Sequence, residues 1–308
     1  MLRYILSRVL LIIPTLVVVI LLIFFILNIV PGDPGRIILG QDADQAAVDA
    51  LNHQLGLDRP LMARFGTYLL GVARLDFGES YRSGRPVFEE ILAKFPTTLA
   101  LALLAIVTMS ILGLPLGILS AVRQYSILDY SLTVGSLLLA SMPGFFLALM
   151  LILVFSLKLG LLPSMGSGSL LHYVLPVFTL ALPNAAYLAR IMRTSMLETL
   201  RQDYIRTAKA KGADQGRVIT RHALKPALMP LITVLGMNFA WLLGGALITE
   251  MIYGLPGIGS IIVKAVRMQD VPVIMAVAVF LAVLYKLIML AVDIIQAVVD
   301  PRLKVRLR

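Results

Sequence analysis

The chain has 308 residues, 59% hydrophobic and 14% charged, with a mean hydropathy of +0.92 and a formal net charge of +10. A soluble core of this size has no use for so much apolar sequence, so the bilayer is the expected solvent, and the basic balance reads as topology rather than nucleic-acid binding. With no cysteine and three scattered histidines (His53, His172, His222), neither a disulfide framework nor a metal centre is expected.

In chain order, Arg3 and Arg8 precede an apolar run over 9–30. It is too long for a signal-peptide core and has no small-residue cleavage site, so it reads as a retained membrane helix. "PGDPG" at 31–35 is a turn cluster that ends it. The following stretch, 31–95, is too long for a connector and holds seven basic and nine acidic residues. Within it, 44–57 and 59–73 read as short amphipathic helices, followed by turns at "DFGES" and "RSGRP". A small helical cap is the simpler reading of this region and a ligand site the alternative.

Five more apolar segments follow near 97–121, 132–157, 172–191, 228–249 and 273–299. Each is long enough to cross a hydrocarbon core of about 30 Å. Pro176, Pro183 and Asn184 interrupt the fourth, but neighbours in a bundle can satisfy the carbonyls a proline frees. An even count of six spans puts both termini on one side. Residues 190–226 carry nine lysines and arginines against Glu198, Asp203 and Asp214, and the tail 300–308 adds four more basic residues. With Arg3, Arg8 and Arg123 they mark the cytoplasmic side.

Small residues at four-residue spacing recur in the helices: Gly113, Gly117 and Ala121; Gly144 and Ala148; Ala181, Ala185 and Ala189; Gly236, Ala240 and Gly244. Such stripes let membrane helices approach closely. The first helix has no glycine or alanine over 9–30 and is expected at the edge, facing lipid. Ionisable residues are scarce inside the spans. Lys286 and Asp293 sit on the sixth and Glu250 at the outer end of the fifth, and a structural role is the simpler reading of the first two, with translocation the alternative. A proton-coupled carrier, the first rival reading, needs titratable groups in its pathway. The spans offer instead Asn184 and Asn238 as polar pathway candidates, so the driving energy is expected to come from elsewhere. A membrane enzyme is the second rival, but "GSGS" at 166–169 beside His172 provides no group to orient a catalytic base.

The densest charge is in "DYIRTAKAKGADQGRVITRH", 203–222. Asp203 is expected to cap a helix over Tyr204 to Lys211 that Gly212 stops, and Asp214 to cap a second running toward Leu224, limited by Pro226. Ile205 and Ala208 share one face, and Val218, Ile219, His222 and Ala223 another. A solvated basic loop needs no cap, stop and second cap, so the stretch reads as a docking element for a cytoplasmic partner.

This stretch resembles the cytoplasmic "EAA" loop of ATP-binding-cassette importer permeases. Aligned on Gly212, the first three motif positions are Arg206, Thr207 and Ala208, so the leading Glu is absent, and the distal end is His222, Ala223, Leu224, Lys225 and Pro226. "DYIRTAKAKG" with "RHALKPALMP", together with "MLRYILSRVLLIIPTL", "PGDP", "LGLDRPL", "LDFGESY", "FPTTLALA", "EMIYGLPGIG" and "VDIIQAVVDPR", is similar to the dipeptide/oligopeptide/nickel branch over the whole chain. The resemblance implies an all-α integral membrane protein of the type I importer permease fold. Its six spans would divide into 1–30, an extracytoplasmic helical cap at 31–95, a core at 96–299 with a coupling loop at 199–226, and a basic cytoplasmic tail at 300–308.

It also implies a second homologous permease, two cytoplasmic ATPases and an extracytoplasmic solute-binding protein as partners, with lipid around the spans and no nucleic acid. By resemblance, Asp203, Tyr204, Ile205, Arg206, Thr207, Ala208, Lys209, Ala210, Lys211 and Gly212 couple to an ATPase. Asp214, Arg217, Arg221, His222 and Leu224 would support them. The cap and "EMIYGLPGIG" would face the binding protein. "GLPGIGS" at 254–260 lacks the GxxxxGK[ST] spacing of a phosphate loop, so no cofactor is expected here and ATP with Mg belongs to the partners. Peptides are the expected solute, with nickel chelates or glutathione carried by the same machinery as alternatives.

Overall fold

Prolines and glycines set several of the helix boundaries in this chain, because apolar sequence alone would let the helices run on. The computed structural model describes residues 2–29 and 32–299. The basic tail at 300–308 and the side chains of Arg3 and Arg8, all assigned to the cytoplasm from sequence, lie outside the described residues.

The elements are helical: α1 (Leu2–Ile29), α2 (Pro34–Leu39), α3 (Gln45–Gln54), α4 (Leu61–Ala73), α5 (Val87–Val122), α6 (Ile127–Ser141) and α7 (Gly144–Leu151), which continues as a π-helical stretch, Ile152–Lys158. There follow α8 (Leu171–Leu200), α9 (Asp203–Ala210), α10 (Gln215–Arg217), a second π-helical stretch (Val218–Ala223), α11 (Leu224–Ala227), α12 (Met229–Gly245), α13 (Leu247–Tyr253), α14 (Ile258–Arg267) and α15 (Val271–Val299). Among the described residues the only strand-like pairing is an isolated bridge between Glu79 and Pro86.

Four helices are long and apolar enough to cross a membrane by themselves: Leu10–Ile29, Val87–Val122, Leu171–Leu200 and Val271–Val298. The expected third and fifth spans are both broken. In the third, Met142 is extended and Pro143 opens α7, so the two halves meet at 103°. The pyrrolidine ring disfavours the helical region for the residue before it, and Met142 takes the extended alternative here. In the fifth, α12 stops at Ala246 and α13 restarts there, and α12 is bent by 52° from the segment Gln215–Ala227 before it. Counting every bent pair in the chain as one span raises the number from four to as many as seven, so the count of six depends on how those pairs sit in lipid. The fourth span is instead longer than expected. α8 continues through Pro176 and Pro183 to Leu200, about 45 Å at 1.5 Å per residue, which exceeds the hydrocarbon core.

The chain divides into two compact units. One comprises Leu2–Thr98 and Pro256–Leu287. Its core gathers Ile20, Val87, Ile91, Ile258, Val273, Ala276 and Val277. Edge-on ring pairs join Phe24 to Phe65 at 5.4 Å and Phe95 to Phe280 at 5.2 Å. α1 buries Ile20 and Phe24 but leaves Leu11, Leu22 and Ile26 more than half exposed, the face expected to meet lipid. The helices expected over 44–57 and 59–73 form as α3 and α4. α2 was not expected, because its Pro-Gly content reads as a turn. Asp33 caps it, accepting from the backbone of Gly35 at 3.0 Å and from Asn52 Nδ2 at 2.8 Å, with Pro34 in the first turn where its missing N–H costs nothing. Asp270, just before α15, accepts from Ser80 Oγ at 2.6 Å and from the Tyr81 amide at 3.2 Å, which ties the turn after α4 to the start of that helix.

The other unit comprises Leu99–Leu255 and the chain from Ile288 on. Here the small-residue stripes of α5 and α8 face each other. A Cβ built on Gly113 would stand 2.7 Å from the Ala185 carbonyl oxygen, and one on Gly117 would stand 2.5 Å from that of Ala189. Gly236 of α12 faces the Val292 side chain of α15, which would have to shift to admit a Cβ. Gly144 has open space around it within this chain. Tyr253, fully buried, shares a hydrogen bond with Thr179 Oγ1 at 2.8 Å and donates to the Ala148 carbonyl at 3.2 Å, linking α13 to α8 and α7. Gly254 then ends α13 at φ +64°, a left-handed conformation that suits glycine.

Gly117→Val should therefore force α5 off α8. Overpacking of this kind costs about 1–3 kcal/mol. We expect a lower melting temperature of the detergent-purified protein, with Gly144→Ala unchanged; equal melting of both variants would show that the close approach is not required.

Candidate functional site

The stretch that stood out in the sequence lies just beyond the end of α8. Gln202, extended at φ −70° and ψ 149°, is the N-cap of α9. The expected cap, Asp203, is instead the first helical residue. Its carboxylate lies 3.5 Å from Arg206 Nη1, and its carbonyl accepts from Thr207 Oγ1 at 3.1 Å. Aspartate is favoured at both the cap and the first turn, where the helix dipole is positive, so composition alone does not separate the two positions.

The other end forms as expected. Gly212 takes φ +85°; its N–H reaches the Lys209 carbonyl at 2.9 Å and the Ala213 N–H reaches that of Ala208 at 3.1 Å. These two bonds make a Schellman stop, which satisfies carbonyls the helix end would leave open. Asp214 then caps the next helix, accepting from the Arg217 amide at 2.7 Å. The return path is not one α-helix. α10 has a single turn before the π-helical stretch Val218–Ala223, and α11 follows.

An isolated eight-residue helix is marginal in water, so α9 needs an anchor. Ile205 supplies it. Its side chain is fully buried in a cluster with Met192 and Met196 of α8 and with Val218, Ala223 and Ala227 of the returning chain. Burying such a side chain from water contributes about 1.5–3 kcal/mol. Leu224 and Ile219 pack against the same cluster, and Ser195 Oγ donates to the Ala227 carbonyl at 2.8 Å. α9 is thus clamped on one side between the end of α8 and the chain that leads to α12. Its other side is open: Tyr204, Arg206, Thr207, Lys209, Ala210 and Lys211 are exposed, and Ala208 is half-buried. Arg217 and Arg221 are also exposed, whereas His222 is half-buried.

The two pathway candidates lie apart from this cluster. Asn184 Nδ2 donates to the Leu180 carbonyl at 2.7 Å and Asn238 Nδ2 to that of Val234 at 2.8 Å, each back onto its own helix.

A second polar centre was missed. Asp129, near the start of α6, takes a two-pronged contact from Arg193 of α8, with Nε at 2.7 Å from Oδ1 and Nη2 at 2.8 Å from Oδ2. Ser120 Oγ also donates to Oδ1, and the amide of Tyr125, held at φ +64°, donates to Oδ2 at 3.0 Å. The Asp129 amide donates to Ser126 Oγ at 3.3 Å. The pair pins the α5–α6 turn to α8 two turns before α9 branches off. Arg193 was read only as topological charge. The available signal was Ser126-x-x-Asp129 ahead of an apolar run, the spacing of a capping box.

Three comparisons bear on this geometry. Residues 113–305 match the family model described as "Binding-protein-dependent transport system inner membrane component", and residues 1–102 match the N-terminal model of such membrane components. The chain is 39% identical over 307 residues, 99% of each chain, to the glutathione transport system permease protein GsiC of Escherichia coli (strain K12). It is similar to the same degree to GsiC of Salmonella paratyphi A. Among solved structures, an inward-facing conformation of the MetNI methionine ABC transporter matches with a TM-score of 0.59 at 22% identity, covering 68% of this chain and 96% of that one. A crystal structure of an amino acid ABC transporter with histidines matches with a TM-score of 0.52 at 18% identity, covering 70% and 94%. These likenesses carry the fold.

Removing one partner of a buried ion pair leaves the other charge uncompensated, at a cost of about 3–5 kcal/mol. Arg193→Gln should therefore reduce the folded yield and melting temperature sharply, and Arg193→Gln with Asp129→Asn should recover much of the loss. No recovery in the double variant would mean that the pairing is not what holds the turn.

Proposed function

This chain belongs to the family of binding-protein-dependent transport system inner membrane components, and from that premise we propose that α9 is the segment through which ATPase partners drive it. The chain is a permease subunit of an ATP-binding-cassette importer of the inner membrane, working with a binding protein and with ATPase activity in separate subunits. The observation that carries the coupling role is the build of α9: eight residues, closed at Gly212, anchored by Ile205 alone on the inside and presenting Tyr204, Arg206, Lys209 and Lys211 outward. A short stiff helix transmits displacement where a flexible loop would absorb it. Asp214, Arg217, Arg221, His222 and Leu224 form or flank the return limb that backs it.

In the full assembly this permease pairs with a second, homologous one, and two ATPases bind ATP and Mg and close on the pair. The termini and α9 lie in the cytoplasm, and the cap built from α2, α3 and α4 faces the binding protein. Asn184 and Asn238 contribute neutral polar contacts to the pathway. The solutes are short peptides. Full-length similarity to permeases named for glutathione transport supports a tripeptide of that size and charge.

Two experiments test this reading. Ala208→Glu places a charge on the half-buried side of α9, and Gly212→Pro denies the chain its left-handed turn. Both variants should insert normally yet lose co-purification of the ATPases or lose uptake by about tenfold or more, equivalent to at least ~1.4 kcal/mol of coupling. Retained ATPases together with normal uptake in both would overturn the coupling role. For the solute, ATP-dependent uptake of labelled glutathione into proteoliposomes should be competed by unlabelled tripeptides. Uptake that tripeptides leave untouched would remove the peptide assignment.

A further inference from the structure

A cavity of ≈ 660 Å³ lies wholly within the unit formed by Leu2–Thr98 and Pro256–Leu287. That is within the range of small-molecule sites. One wall is a stripe of α4, Arg64, Tyr68 and Gly71, at helical spacing. The neighbouring face of α4 packs Phe65, Leu69 and Val72 against the core together with Tyr68 itself, which fixes the rotation of the helix. Gly71 keeps the wall thin, since a Cβ there would stand 2.7 Å from the Asp76 carbonyl oxygen.

The charged groups of this cavity differ in depth, and Arg59 is exposed at its rim. Arg64 is half-buried, and its Nη2 donates to Asn28 Oδ1, a neutral acceptor, at 2.7 Å. No carboxylate pairs with it among the described residues. The Tyr68 hydroxyl is enclosed and has no hydrogen-bond partner. Burial pushes the phenols of Tyr68 and Tyr81 up, so both keep their protons and can donate. Tyr81 lines the same cavity, and its amide donates to the buried Asp270 carboxylate at 3.2 Å. A half-buried guanidinium with only a neutral partner is matched by an oxyanion. A water in its place would leave the charge uncompensated. The acidic lining residues, Asp76 and Glu79, are exposed at the rim, and Phe24, Phe77 and Met275 supply apolar wall between.

We propose that this cavity binds a short peptide, with its C-terminal carboxylate on Arg64 and its ammonium group at the rim carboxylates of Asp76 and Glu79. It is a holding site on the outer side of the permease, between release from the binding protein and entry to the pathway. The assignment rests on the outward placement of the cap and on the peptide reading given above. The rim acids disfavour a purely anionic ligand, and the single enclosed cation disfavours a purely cationic one. The apolar wall gives side chains a place without selecting among them.

The test uses the full importer in nanodiscs of phosphatidylglycerol, without the binding protein, and equilibrium binding of radiolabelled trialanine. Trialanine should bind saturably, and its C-terminal amide should bind more weakly by about tenfold or more, as should trialanine to Arg64→Gln. Arg64→Lys should recover part of the affinity, which a merely structural defect would not allow. Equal affinity for acid and amide, or unchanged affinity in Arg64→Gln with normal melting, would overturn the proposal. Displacement of trialanine in phosphatidylethanolamine nanodiscs, without acid–amide discrimination, would assign the cavity to lipid and overturn it as well. ATP-driven uptake, measured in the same preparation with the binding protein added, separates the two readings. Uptake without the trialanine site sinks the holding site alone. A carboxylate-dependent site without ATP-driven peptide uptake supports the cavity and sinks the peptide-importer reading.

Discussion

The account depends on one side chain in one seat: Ile205, buried between the end of α8 and the chain that returns to α12. Everything else in α9 is local and weak. Its N-cap makes no side-chain hydrogen bond, and its Asp203–Arg206 pair is exposed, which places it among contacts of little energetic consequence. The Schellman stop shapes the end of the helix but does not hold it to anything. The burial of Ile205 turns a marginal helix into a part of the bundle. α8 runs without interruption to Leu200, so under the proposed coupling role a push on α9 would reach the spans through a continuous rod.

Two kinds of physics hold the chain together, and they change over along α8. Within lipid, apolar burial gives no net drive to association, so the helices rely on close backbone approach and on polar groups that satisfy each other. Gly113 and Gly117 against Ala185 and Ala189 are the first kind, and Tyr253 with Thr179 is the second. Toward its C-terminal end the same helix packs larger apolar side chains, in the cluster around Met196 and Ile205. The Arg193–Asp129 pair sits between the two regimes, where a carboxylate can accept several donors at once and still keep its charge.

Where short-range chemistry decides, the sequence was legible. Gly212 and Asp214 were read correctly because a left-handed stop and a side-chain cap involve only near neighbours. The stripes of α5 and α8 were readable because four-residue spacing is itself the geometry. Asp203 was misplaced by one residue, between two positions that suit it almost equally. The break at Met142-Pro143 was missed because hydropathy runs on across the proline, and prolines do stand inside a continuous helix in α8. The bond between Asp129 and Arg193 could not be read as a pair, since 64 residues separate the partners. The cap cavity was equally hidden, being assembled from α1, α3, α4 and the start of α15.

The most direct test of the seat is the number of solute molecules imported per ATP hydrolysed by the reconstituted importer carrying Ile205→Ala. Removing the anchor should leave hydrolysis running while import per ATP falls by about tenfold, a loss of ~1.4 kcal/mol in the coupling between the two. An unchanged ratio, with both activities near normal, would show that α9 passes on its motion without that seat, and would contradict the account.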